Sequence, residues 1–226
     1  MVKLSKRVQQ GLKAIDGNRD YSLDEAVAQV DKFPKTKFDE TVELHIHLNI
    51  DPKTSDQVVR GTVTLPHGIG KKVRVAVFCK GEMEQKAKDA GAEYVGSQTL
   101  IDKVMQGFMD FDVVVASPDM MRDLSKLGKV LGPRGLMPTP KAGTVTVDIE
   151  KAIKEVKAGK IEFKSDKQSG IHLGLGKRSF AKEKILDNVK VVVDAINNAK
   201  PSSVKGNLIK SMFLTTTMGP SLRIKQ

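Results

Sequence analysis

The chain has 226 residues, 39% hydrophobic and 29% charged, enough for one large core or two modest ones. Its 38 Lys and Arg against 27 Asp and Glu give a formal net charge of +11 and an isoelectric point near 9.6, which points to a polyanionic partner. Only 4% of residues are aromatic and Trp is absent, which argues against an aromatic base-stacking platform, and the single cysteine, Cys79, excludes an intramolecular disulfide.

The start, Met1 to Gln10, has no apolar run to serve as a signal peptide, and nothing downstream has the length of a membrane span. A cytoplasmic protein without a membrane partner is expected. The first clear helix begins at Ser22, where Ser22-Leu23-Asp24-Glu25 forms a capping box. Leu23, Ala26, Val27 and Val30 make its apolar stripe, and Pro34 stops it. Val42, Leu44, Ile46 and Leu48 then alternate with Thr41, Glu43, His45 and His47, which predicts a strand in an antiparallel sheet with one face covered. A second strand is expected near Val58 to Leu65.

The pattern changes after Pro66-His67-Gly68-Ile69-Gly70. Val73 to Cys79 is nearly continuously apolar, as in a strand buried on both faces. A helix follows from Glu82 to Ala90 with Gly91 as its cap, then a short strand from Glu93 to Val95. A second helix carries Leu100, Ile101, Val104, Met105 and Phe108. Another buried strand runs from Asp112 to Ala116, and Ser117-Pro118 caps a further helix. This rhythm indicates a small doubly wound unit. Gly128 to Gly143, rich in Pro and Gly, reads as a shaped connector. A helix from Ile149 to Ala158 ends at Gly159.

Alternation then returns. Lys160 to Lys164 and Ile171 to Leu175 are expected to be strands joined by a hairpin turn through Ser165 to Gly170. A long helix carries Ile185, Val189, Val192 and Ile196, with Leu186 and Val193 alongside, and ends before Pro201. A last strand runs from Leu208 to Leu214.

The styles are therefore half-exposed, buried, half-exposed. The expected fold is α/β with two domains. Residues 1–66 and 160–226 form a discontinuous α+β two-layer sandwich, and 67–159 form an inserted, doubly wound, Rossmann-like three-layer domain. A double crossing makes relative motion of the two the expectation. Residues 67–159 carry net +3, and the excess elsewhere lies wholly in 160–226, so the polyanion should meet the two-ended domain.

Two segments stand out chemically. Lys37, Phe38, Thr41 and Glu43 join a cationic, aromatic turn to a polar strand face suited to phosphate, ribose and 2′-hydroxyl. Thr215-Thr216-Thr217-Met218-Gly219-Pro220 offers hydroxyls and a glycine that permits close backbone approach. Their bland alternatives are a solvated face beside a buried Phe38 and a strand tail entering a turn, and composition leaves both open. Lys164-Ser165-Asp166-Lys167 by itself reads as a polar turn. His45 and His47 share a strand face, but no further ligand pattern accompanies them, so no metal is expected. Gly68-Ile69-Gly70 and Gly174-Leu175-Gly176 lack the spacing of phosphate loops. Cys79 reads as inert packing. No catalytic constellation is present in the sequence. The rival readings are a nucleotide- or cofactor-binding enzyme built on the doubly wound unit, and a basic protein-interaction adaptor.

Four stretches resemble one family. They are Lys37 to Leu44, Val63 to Gly68, Leu127 to Pro138 with its Gly-Pro-Arg-Gly-Leu-Met-Pro run, and Thr215 to Pro220. Together they are similar, in order and along nearly the whole chain, to the universal large-subunit ribosomal protein numbered one, in its bacterial form. The resemblance implies a structural, non-enzymatic constituent of the large ribosomal subunit. Such a protein binds large-subunit rRNA to form the mobile lateral stalk, assists release of deacylated tRNA from the exit site, and represses translation of its own mRNA. Carried onto this chain, its RNA surface maps to Lys37, Phe38, Thr41, Glu43, Asp166, Ser211, Thr217, Met218 and Gly219, with Lys164, Lys167 and His172 flanking. No cofactor, catalytic residue or metal ligand is implied, the free protein is taken to be a monomer, and no tail is expected beyond Gln226. On this reading Thr217→Val weakens RNA binding by about 1–3 kcal/mol with folding intact.

Overall fold

The computed structural model describes residues 5–17 and 19–225; Met1 to Leu4, Asn18 and Gln226 lie outside it. In chain order the elements are α1 (Lys6–Lys13), α2 (Leu23–Val30), β1 (Thr41–Leu48), β2 (Arg60–Thr64), β3 (Val75–Phe78), α3 (Glu82–Asp89), β4 (Tyr94–Gly96), α4 (Gln98–Met105) and β5 (Val113–Ala116). They continue as α5 (Met121–Leu124), α6 (Gly128–Leu131), α7 (Ile149–Ala158), β6 (Lys160–Lys164), β7 (Gly170–Lys177), α8 (Lys182–Asn198), β8 (Ile209–Thr216) and β9 (Leu222–Ile224). The chain divides into two compact units, Met1–Gly70 with Glu162–Gln226, and Lys71–Ile161.

The terminal unit is built on a four-stranded sheet of order β7-β1-β8-β9. Every pairing in it is antiparallel. Along β1 the even-numbered side chains from Val42 to Leu48 are buried and the odd ones half-exposed, as period two requires when one face is covered. Helices α2 and α8 cover that face. The capping box starting α2 is closed: Ser22 Oγ accepts from Glu25 N–H at 3.3 Å, and Glu25 accepts from Ser22 N–H at 3.1 Å. Helix α8 buries Ile185, Val189, Val192 and Ile196 as the stripe predicts, and also Asn188. Asn188 acts as a clamp. Its amide donates to Leu175 O at 2.7 Å and Gly68 O at 3.1 Å, and its oxygen accepts from His67 N–H at 3.3 Å.

The inserted unit is a three-stranded parallel sheet of order β4-β3-β5. Strand β3 sends Ala76 and Phe78 into one core with α4, α5 and α6 residues, and Val75 and Val77 into another with Ala87 of α3 and four residues of α7. The alternation of one strand thus feeds two cores, giving three layers. Cys79 is buried there, and burial pushes its thiol up to about 11, so at neutral pH it packs rather than reacts.

Several details depart from expectation. Helix α1 precedes the first helix read from the sequence; its single buried residue is Gly11, so no apolar stripe announced it. Strands β6 and β7 do not form a hairpin. Strand β6 pairs with β2 in a separate two-stranded sheet, while β7 pairs with β1, so Ser165 to Gly170 hands the chain from one sheet to the other. Alternation fixes a strand's faces but not its partner. Strand β8 runs on to Thr216, so Thr215 and Thr216 are strand residues, and the short β9 adds an unforeseen edge. Ser117 gives no side-chain cap, Gly128 to Leu131 is helical rather than connector, and Met105 is 53% exposed rather than part of the core face.

Candidate nucleic-acid interface

The face of the sheet opposite α2 and α8 is open. Thr41 and Glu43 of β1, His172 of β7, and Ser211 and Thr215 of β8 lie on it, half-exposed or exposed. The registers place Glu43 between Gly174 and Thr215, His45 between His172 and Phe213, and His47 between Gly170 and Ser211. At the end where β1 begins and β8 ends, Lys37 and Phe38 precede the sheet while Thr217, Met218 and Gly219 follow it. Phe38 is 55% exposed and Met218 48%, large apolar side chains left in solvent. The bland alternative, with Phe38 buried, is thus excluded. A cleft of about 300 Å³ beside it is lined by Lys35, Thr36, Phe38, Asp39, Glu40 and Arg178, among others.

This rim is held by a pair the sequence reading did not single out. Glu40 is 1% exposed and its Oε2 accepts from Arg178 Nη1 at 2.7 Å. Glu40 Oε1 accepts from Thr216 Oγ1 at 3.2 Å and from Met218 N–H at 3.1 Å. Arg178 also donates to the carbonyls of Asp31, Phe33 and Pro34. One buried ion pair therefore ties the loop before β1 to the turn after β8. The signal was available: residue 40 continues the even, inward-facing parity of β1, and an acid there requires a cation.

Two motif residues have structural duties. Thr217 Oγ1 accepts from Thr41 N–H at 3.0 Å and lies 3.3 Å from Thr41 O and 3.4 Å from Glu43 Oε1. Its loss would leave the first amide of β1 without that acceptor, which corrects the expectation that Thr217→Val leaves folding untouched. A Cβ on Gly219 would meet Thr216 Oγ1 at 2.3 Å and the Phe33 ring at 3.0 Å, so the glycine is required by packing rather than by ligand approach. Asp166 likewise shapes its own turn, accepting from Gln168 and Gly170 N–H groups at 2.7 Å each, bonds that lower its pKa. Its other oxygen stands 3.4 Å from His172 Nε2. Lys167 is exposed in that turn, and Lys164 is exposed on β6, outside the four-stranded sheet.

A family profile described as the ribosomal protein L1p/L10e family matches residues 30–220. The chain belongs to this family. It is 53% identical over 224 residues to "Large ribosomal subunit protein uL1" of Solidesulfovibrio magneticus, covering 99% of this chain and 95% of the relative. It is 52% identical over 225 residues to the proteins of that name from Thermosipho africanus and Thermus thermophilus, covering 99% of this chain and 97% and 98% of theirs. As an L1p/L10e member the chain is a structural ribosomal protein rather than an enzyme, and the rival built on a nucleotide site in the doubly wound unit falls.

On the open face of this L1p/L10e chain, His45 and His172 approach each other with Nδ1 atoms 2.7 Å apart and ring centroids 4.9 Å apart. Among the described residues no group of three or more His, Cys, Asp or Glu could hold a metal. Burial lowers the His45 pKa below 6.5, as does His172, while Glu43, with Oε2 3.5 Å from His45 Nε2, opposes the shift. Below pH 6.5 the unfolded chain takes up a proton that the folded one resists. The contribution to stability is therefore complete above 6.5 and lost as pH falls through the folded value. Melting temperatures should fall between about pH 7 and about pH 5.5, and His45→Gln should flatten that fall. Equal slopes for both proteins would remove His45 from the account.

Proposed function

We propose that this chain serves in the large ribosomal subunit by clasping a folded segment of large-subunit rRNA with the open sheet face and rim of its terminal unit. The reading rests above all on one observation: Phe38 and Met218, both about half exposed, bracket the buried Glu40, with Thr217 and Glu43 beside them. Large apolar groups left in solvent next to hydroxyl and carboxylate groups suit a nucleotide, whose ring and ribose edge they complement. Lys37, Lys164 and Lys167 supply salt-dependent affinity by displacing counterions. His172, Ser211, Thr41, Asp166 and Gly219 complete the surface, the last two by fixing its backbone.

The proposal extends to the mobile lateral stalk: the bound rRNA forms it at the exit site and its swing assists release of deacylated tRNA. The same surface, meeting a similarly folded stretch of the chain's own mRNA, would repress translation. A filter-binding assay with the rRNA fragment tests the core of this reading. Phe38→Ala should weaken binding by about 1–3 kcal/mol, the worth of one stacked base, with an unchanged urea midpoint. Thr217→Val should weaken it comparably and lower the midpoint as well, because its hydroxyl serves both β1 and the ligand. Thr217→Ser should restore both. Affinity unmoved by Phe38→Ala would sink the assignment of the rim.

A further inference from the structure

Four side chains form a line across the open face of the terminal unit. Glu43 Oε2 stands 3.5 Å from His45 Nε2, His45 Nδ1 stands 2.7 Å from His172 Nδ1, and His172 Nε2 stands 3.4 Å from Asp166 Oδ2. The register pairs His45 with His172 across β1 and β7, which brings the rings together. A carboxylate closes each end.

The central contact limits the protons the line can hold. Two imidazole nitrogens 2.7 Å apart need one N–H and one bare nitrogen between them. A shared metal would hold them wider, since two nitrogens on a tetrahedral zinc stand roughly 3.3 Å apart. Burial first, then His172, lowers the His45 pKa, so His45 is the ring with the bare Nδ1 and keeps its proton on Nε2, toward Glu43. His172 then donates from Nδ1. Without a further proton its Nε2 is bare and its lone pair meets Asp166, a carboxylate held below the ordinary range by the Gly170 N–H above all, with Gln168 and His172 adding. One added proton on that nitrogen turns repulsion into an ion pair. A second would set two N–H groups against each other at the centre, so the line takes one proton and resists two.

Gly170 supplies an independent observation. A Cβ built there would meet His172 Nε2 at 2.9 Å and Asp166 Oδ2 at 3.1 Å. Its φ is not left-handed, so the backbone does not demand glycine; the missing side chain leaves the space in which imidazole and carboxylate meet. The other charges on this face are His47 of β1, Lys177 of β7, Lys167 of the turn and Arg223 of β9. Lys177 Nζ lies 3.2 Å from Thr41 Oγ1, and Arg223 Nε 3.4 Å from Asp20 Oδ1. Strand β8 adds only Ser211, Phe213 and Thr215, and α2 and α8 pack on the opposite face.

We propose that RNA binding is proton-linked through this line: phosphates approaching the open face draw one proton onto His172, which then offsets the Asp166 charge that would repel them. The inference rests on the terminal face being the RNA surface. The proton is held more tightly in the complex than in the free chain. Affinity is therefore highest below the free chain's titration and falls as pH rises through that of the complex.

The test titrates the full chain with its rRNA fragment at fixed ionic strength, well below the melting temperature. The His172 side chain is 57% exposed, so solvent screens the linkage. Affinity should fall by about threefold to tenfold from about pH 6 to about pH 8, a one-unit pKa shift being worth tenfold. Calorimetry in buffers of different ionisation enthalpy should register the matching proton uptake. His172→Asn should flatten the profile. So should Gly170→Ala, which keeps every titratable group and parts His172 from Asp166. Asp166→Asn keeps an acceptor for the turn and should flatten it too, whereas His47→Gln should leave the wild-type profile. In the free chain, nitrogen-15 imidazole spectra should place the proton of His45 on Nε2 and a proton of His172 on Nδ1. A wild-type profile no steeper than that of His172→Asn, with binding still lost in Phe38→Ala, would overturn the linkage and leave the RNA face standing. Affinity unmoved by Phe38→Ala would remove the face, and the linkage with it.

Discussion

Arg178→Met should destabilise the terminal unit by about 3–5 kcal/mol, because it leaves Glu40 buried without its cation. Glu40 is 1% exposed and the Arg178 side chain 10%, so little water can reach in to compensate. The carboxylate also accepts from Thr216 and Met218, and the guanidinium serves three backbone carbonyls, so the loss spreads through the rim. Urea denaturation measures the effect, and Glu40→Leu in the same chain should recover part of it by removing the stranded charge. RNA affinity should not recover in that double variant, since the turn carrying Met218 stays untied. A single variant within about 1 kcal/mol of wild type, the range of an exposed pair, would mean the bridge is dispensable.

Asn188→Leu should cost about 2–4 kcal/mol. The side chain is fully buried on the apolar stripe of α8, and its replacement strands the carbonyls of Leu175 and Gly68 and the amide of His67. Each buried polar group left without a partner costs about 1–3 kcal/mol, and those near Gly68 are only partly buried, which limits the sum. Asn188→Asp should be nearly as severe, because it keeps the shape but removes both donors. The urea midpoint reads this change too, and no shift in either variant would contradict the clamp.

The parts of the fold legible in the sequence are those where burial repeats. Strand β1 alternates over eight residues, β3 and β5 are apolar throughout, and α8 carries its stripe over several turns, so each announces its faces. Helix α1 buries one glycine and β9 has three residues, so neither offers a period to read. The false hairpin between β6 and β7 has a different origin, for pairing depends on residues far apart in the chain. For the interface, charge and motif located the rim, but the duties of its residues were partly misassigned. Gly219 reads as ligand-facing until Phe33 is seen against it, and Thr217 as free until Thr41 is seen bonded to it. Glu40, Arg178 and Asn188 shared one readable sign, a polar residue where the apolar period calls for an inward side chain or the partner that such a residue needs.

Strand β1 lies between β7 and β8, so its two hydrogen-bonding edges wait for segments made roughly 130 and 170 residues later. During synthesis on a translating ribosome the inserted unit is complete just before β7 fills the first edge and well before β8 fills the second. A nascent chain halted ahead of Ile209 holds β1 with one edge bare and without the threonine turn. Competence to grip the transcript therefore emerges late and abruptly, once the final strands leave the tunnel, and a prematurely released fragment would not compete with the finished product.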